Sequence, residues 1–189
     1  MSLRAMLALP LVLALAGCGA RPGSRVERGV ETMKTEKAPD KLLERGKAFA
    51  QVGDFTRAEQ YLATALDAGA DPAVVLPLLL RVCTEGQRYR VAIDYAEQHL
   101  RKHPGDQRLR FLVATMYLAI GETAGARERL EVVVAASPKD AAARFALASV
   151  LRDMGEPVLA DRHFRVYLEL EPKGTHVEEA RASLLKEVR

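Results

Sequence analysis

The sequence predicts an all-α fold, a superhelical solenoid of four helix–turn–helix repeats closed by a terminal helix. Three observations carry this. Alanine recurs every 34 residues at Ala58, Ala92, Ala126 and Ala160, and proline keeps the same interval at Pro104, Pro138 and Pro172. A fixed period of this length marks a stacked repeat architecture. Between these landmarks, apolar residues fall in stripes at helical spacing. The 189 residues are 49% hydrophobic yet only 5% aromatic, with no Trp. Burial must therefore come from Ala, Leu and Val, which favours closely packed helices over a β-sandwich.

The repeats divide as residues 39–72, 73–106, 107–140 and 141–174. In the third, Leu109, Leu112, Val113, Met116 and Tyr117 form the stripe of a first helix, and Gly121-Glu122 breaks it. Ala126, Leu130, Val133 and Val134 form the stripe of the second helix. Ser137-Pro138-Lys139 ends that helix and offers Asp140 as N-cap of the next. The fourth repeats the plan with Phe145, Leu147, Ala148 and Leu151, then Gly155, then Ala160, Phe164, Tyr167 and Leu168. Its Pro157 stands at the first turn of a helix, where a missing N–H has no consequence. The second repeat departs most. Gly86 falls one place before the column of Gly53, Gly121 and Gly155, and Pro77 is predicted to delay or kink the first helix. Residues 73–80 are apolar all round, which marks either deep packing or a contact surface. Residues 175–189 form the terminal element. Thr175 and Glu178 have capping-box spacing, and a helix over 175–188 would cover the last repeat's apolar face.

This pattern resembles the tetratricopeptide repeat over residues 39–174. Small residues stand where that family's paired helices come closest: Gly46, Ala114 and Ala148 in first helices, and the alanine column in second helices. Large residues flank them, among them Phe49, Leu62, Tyr117, Leu130, Leu151 and Phe164. The second repeat puts Leu80 in the small column, Cys83 where a ring is usual and His99 where the family prefers Ala. The resemblance implies a groove lined by the first helices: Leu43, Glu44, Lys47, Gln51, Leu78, Arg81, Glu85, Arg108, Phe111, Leu112, Thr115, Leu118, Phe145, Ser149 and Arg152. Phe111 and Phe145 fit either the groove or inter-repeat packing. The family's carboxylate clamp is not reproduced, since Leu43, Thr115 and Ser149 stand where it needs Lys or Asn.

The chain opens MSLRAMLALPLVLALAGC. Arg4 precedes an apolar stretch over residues 5–16, too short to cross a bilayer core of about 30 Å, with the layout of a secretory signal. Leu15-Ala16-Gly17-Cys18 resembles the lipobox of bacterial lipoproteins. The resemblance implies that residues 1–17 are removed and that Cys18 carries acyl chains, palmitate among them. Two or three chains together anchor stably where one does not. Gly19, in place of the Asp that retains enteric lipoproteins in the inner membrane, resembles outer-membrane cargo at the periplasmic face. Residues 18–38 form a polar tether with no apolar periodicity, spanning roughly 25 Å if flexible.

Other chemistry is not indicated. The balance of 28 basic against 25 acidic residues, a net +3, does not point to nucleic acid. The basic run over residues 81–110 lacks the aromatic interleaving that stacks bases. His99 and His103 are four apart, at metal-ligand spacing, but no third ligand or catalytic Glu accompanies them; they read as a core-edge pair. Cys83 has no partner at zinc or redox spacing and reads as a core thiol. No phosphate loop or nucleophile elbow occurs, and neither a metal nor a cofactor is expected. The sequence thus predicts a membrane-tethered, non-enzymatic scaffold of the cell envelope that grips another envelope protein in its groove. Two alternatives are an oligomerising module paired through the second repeat, and an accessory subunit holding an anionic envelope ligand on Arg81, Arg108 and Arg152. If Cys18 is the anchor, Cys18→Ser moves the protein from the detergent phase to the aqueous phase on detergent partitioning; unchanged partitioning rules the anchor out.

Overall fold

The computed structural model describes residues 38–185. The leader, Cys18 and the tether to residue 37 lie outside the described residues, as do residues 186–189. Four helix pairs follow one another: α1 (Pro39–Gln51) with α2 (Phe55–Asp67), α3 (Pro72–Glu85) with α4 (Tyr89–Lys102), α5 (Gln107–Ala119) with α6 (Thr123–Ala136), and α7 (Ala141–Asp153) with α8 (Pro157–Leu170). A short α9 (Val177–Ala182) comes last. There is no strand among the described residues. Each helix packs chiefly on its neighbours in sequence, as a solenoid requires.

Aspartate sets several helix starts. The carboxylates of Asp71, Asp106 and Asp140 accept the backbone N–H groups of Ala73, Leu109 and Ala143 at 2.9 Å, and Asp54 does the same for Arg57 at 3.0 Å. Each bond satisfies one of the donors a helix leaves open at its first turn. The turns inside the pairs repeat just as closely. The amides of Asp54, Arg88, Glu122 and Glu156 donate to the carbonyls of Phe49, Cys83, Tyr117 and Leu151 at 2.7–3.0 Å. This closure needs one left-handed residue. Gly53, Gly121 and Gly155 supply it with φ of 74°, 75° and 78°, but the second repeat supplies Gln87, at φ 56°. Its glycine stands one place early because the chain passes Phe55 there: a Cβ at Gly86 would lie 3.2 Å from that of Phe55.

The small column controls how closely the helices approach. Ala58, Ala92, Ala126 and Ala160 are 1% exposed or less, and Gly46, Ala114 and Ala148 are buried opposite them. At Gly46 a Cβ would meet the Leu62 side chain at 2.7 Å. Leu80 occupies this column in α3 and is itself buried. A leucine between two helices widens their separation, and the α3–α4 contact is the sparsest of the four pairs. Pro77 does not delay the helix: α3 starts at Pro72 and continues through Pro77 to Glu85. Pro77 has no N–H to offer the Ala73 carbonyl.

The terminal helix is shorter than its sequence pattern implies. Thr175 makes no cap bond, and α9 starts only after His176. Tertiary contacts hold the preceding turn. The His176 amide donates to the Tyr167 hydroxyl at 3.1 Å, and its ring stacks on Phe145 at 4.2 Å. Beyond α9 the Leu185 amide donates to Asp161 at 2.9 Å. Val177 and Ala180 are buried against the last repeat.

Two apolar clusters meet at α5. Leu109, Val113 and Met116 belong to the core of the first two repeats, while Ala114 belongs to that of the last two and Tyr117 touches both. Ion pairs tie successive repeats outside this core: Arg88 with Glu59, Arg90 with Glu122, Arg129 with Glu97 and Arg127 with Glu156. A left-handed L-residue costs about 1–2 kcal/mol, part of which glycine gives back as unfolded-chain entropy. Gln87→Gly should therefore raise the unfolding free energy by about 1 kcal/mol, an increase of about 3 °C in Tm. A melt of the variant checks it, and an unchanged or lower Tm would show that the turn is unstrained.

Candidate binding groove

Between α3 and α5 lies a cavity of about 820 Å³. Leu76, Leu80 and Leu109 form its floor; Pro72, Ala73 and Pro77 line the α3 side, and Phe111, Leu112 and Thr115 the α5 side. Asp71, Asp106, Arg108, His99 and His103 complete the wall. The departures of the second repeat from its own frame produce this opening. Pro77 shares a column with Leu43, Phe111 and Phe145 and is the smallest residue in it, so that column supplies no large side chain here. Leu80 forms floor where its counterparts are Gly or Ala, and His99 stands where the first repeat has Ala65.

His99 and His103 stack at 4.3 Å and form a partition. A smaller depression of about 350 Å³ lies on their other side, toward Leu66 of α2 and Tyr95 of α4. Burial, reinforced by His103, lowers the pKa of His99. That of His163 is lowered too, by burial and then by Arg144, whose guanidinium lies 3.1 Å from its Nδ1. Among the described residues no group of three His, Cys, Asp or Glu could hold a metal ion.

The charges at the groove differ in how far they are already engaged. Asp71 and Asp106 are N-caps of α3 and α5. Arg108 is exposed and has no acidic partner among the described residues. Away from the groove, the buried carboxylate of Glu59 pairs with Arg88. Burial, and then Glu59, push the Cys83 thiol up to about 12, which keeps it protonated and unreactive at neutral pH.

Residues 43–106 and 84–149 match two family models, each described as tetratricopeptide repeat. The chain carries tetratricopeptide repeats. The two matches meet across the second repeat, the one that departs most from the pattern. No curated protein sequence matches the chain. Among solved structures, a MamA protein aligns at 19% identity and TM-score 0.64, over 79% of this chain and 80% of that one. YrrB, described as a tetratricopeptide repeat protein with an unusual peptide-binding site, aligns at 14% identity and TM-score 0.64, over 83% and 87%. A tetratricopeptide repeat protein from Parabacteroides merdae aligns at 20% identity and TM-score 0.67, over 77% of this chain but 58% of its own. These likenesses show the fold.

The repeat fold brings only some of the sequence-predicted groove residues together. Arg108, Phe111, Leu112 and Thr115 line the cavity; the Thr115 hydroxyl donates to its own helix, at the Leu112 carbonyl. Leu43 and Leu78 are half-buried against the first core, Lys47 pairs with Glu44, and Arg81 lies 3.8 Å from Glu85. Phe145 is covered by Phe164, Tyr167 and His176. Arg152 bonds Asp153, Glu179 and Ser183, which commits it to holding α9. The Ser149 hydroxyl is buried with no hydrogen-bond partner among the described residues. Pro72, Leu76, Pro77, Leu80, His99 and His103 also line the groove, at positions the repeat register does not assign to it. Their signal was the apolar run over residues 73–80 and the two histidines one turn apart.

A histidine whose folded pKa is lowered binds its proton more readily in the unfolded chain. Its stabilising effect is present above the unfolded value near 6.5 and is lost as pH falls through the folded one. Urea titrations should show the fold weakening from pH 7 to pH 5, with His163→Gln and His99→Gln each flattening the profile; equal slopes in wild type and both variants would contradict it.

Proposed function

We propose that the protein is a lipid-anchored scaffold of the cell envelope, held at the periplasmic face of the outer membrane in preference to the inner. It holds a segment of a partner protein in the α3–α5 groove and carries out no chemistry of its own. The groove is the observation that carries this reading. Its volume is that of a site for a few side chains, apolar with a small number of polar groups at its edge. Leu112 is 42% exposed there, an apolar anchor already presented to solvent. First helices of successive repeats form the two walls, which is the arrangement that receives an amphipathic helix or an extended peptide. YrrB, of the same fold, is described as having a peptide-binding site. The anchoring rests on the leader and on Cys18, and the polar tether gives the repeats reach from the membrane.

A photo-crosslinking residue placed at position 112 tests this in intact cells, with position 132 on α6 as control. Leu112 lines the groove, whereas Val132 is equally exposed and lines no part of it. The expected outcome is a discrete membrane-associated adduct from position 112 and none from 132. Adducts only from 132, or none from either, would overturn the groove as the contact surface. An adduct of twice the chain's own mass would favour self-association through the second repeat.

A further inference from the structure

We propose that the groove receives an aromatic side chain of the partner, lying between Pro77 and Arg108, with a carboxylate next to it in the partner's sequence. This rests on the reading that the groove is the binding site, and it adds the chemistry of what binds.

The chain's own last repeat shows what this place in the frame accepts. Moving back 34 residues at a time carries Phe145 onto Phe111 and then Pro77, and His176 onto Ala142 and then Arg108. At the C-terminal step, Phe145 and His176 lie ring on ring, with centroids 4.2 Å apart and planes at 16°. Phe164 and Tyr167 border the same ring. The chain fills this place with its own planar groups. Between α3 and α5 the same two positions hold a proline and an arginine, and the cavity of about 820 Å³ opens there.

The walls of that cavity suit a ring. Leu76 and Leu80, both buried, line it with aliphatic surface. Phe111 borders it and has no ring partner among the described residues. Offset or edge contact between two rings adds to simple burial, and a guanidinium over a ring face adds a cation–π attraction. Arg108 can supply that guanidinium or turn it to an anion. Asp71 and Asp106 each already accept a backbone amide at a helix start, while Arg108 lacks an acidic partner among the described residues. Arg108 is thus the charged side chain of the groove that engages no other group among the described residues, and the group that pairs with a guanidinium is a carboxylate.

A random peptide library selected on the full chain carrying Cys18→Ser tests this. Leu112→Asp serves to recognise groove-dependent peptides. The expected consensus has Phe, Tyr or Trp close to Asp or Glu. Replacing the ring by Leu, or Arg108 by Glu, should each weaken binding about tenfold. Pro77→Phe, which places the chain's own ring in the space, should abolish it while the melting temperature stays at or above that of wild type. Groove-dependent peptides with aliphatic anchors, or with Lys and Arg in place of acids, overturn this inference and leave the scaffold reading intact. Peptides indifferent to Leu112→Asp, or no selection at all, overturn both. If Pro77→Phe does not fold, the Arg108→Glu and ring-to-Leu measurements decide alone.

Discussion

The close approach of paired helices at a column of residues without bulk is the constraint on which the rest of the structure depends. With alanine on one helix and glycine or alanine on the other, the backbones come near enough for the larger neighbours to interdigitate. Gly125 shows how little room there is: a Cβ there would sit 2.7 Å from the Tyr117 ring. Because that ring lies against α6, Arg129 can cover it at 5.0 Å while reaching Glu97 of the preceding repeat. One packing detail thus places both an aromatic contact and a tie between repeats. Exposed ion pairs contribute little each. The continuous burial of Ala, Leu and Val does most of the stabilising, which explains how a chain so poor in aromatic residues folds.

The second repeat relaxes this constraint in several places at once. Leu80 widens the pair, Pro77 leaves a column without a large side chain, and His99 stands at the groove's end where the neighbouring repeats have Ala65 and Val133. Cys83 stands where Phe49, Tyr117 and Leu151 stand elsewhere and is too small to replace a ring. The Glu59 carboxylate lies beside it, and Arg88 neutralises the charge. The core stays closed on that side while a cavity opens on the other. The weakest repeat by its family pattern therefore holds the candidate site. That is physically reasonable, because a recess in a solenoid needs residues that fail to complete the packing.

Much of this was legible in the residues. The 34-residue period, the alanine column, Asp140 as a cap and Pro157 at a first turn are local or periodic features, and the structure carries them as read. Four residues mapped by register, Arg108, Phe111, Leu112 and Thr115, do line the groove. Repeat register carries no information on depth. It placed Phe145 and Arg152 on the same surface as Phe111, because equal spacing implies equal exposure only in an endless array. The C-terminal segment breaks that equivalence by stacking His176 on Phe145 and taking up Arg152. It was also blind to vacancy. Pro77 and Leu80 read as departures to be tolerated, and their effect on the space between two helices depends on what the neighbouring repeat fails to supply.

By itself the sequence determined the number of repeats, their phase, the turns and the residues of closest contact. Periodicity and capping act within one turn of helix or between adjacent helices, and a linear pattern records them. It also carries the apolar N-terminal stretch and Cys18, on which the proposed membrane attachment rests. Only the tertiary structure decided where the array is open. Exposure is a property of facing surfaces from different repeats, and at each end or irregularity those surfaces differ although the sequence period does not. Hence Phe111 and Phe145 both lean on the second core, but the open side of Phe111 borders a groove while that of Phe145, one period later, is met by the chain's own terminal segment.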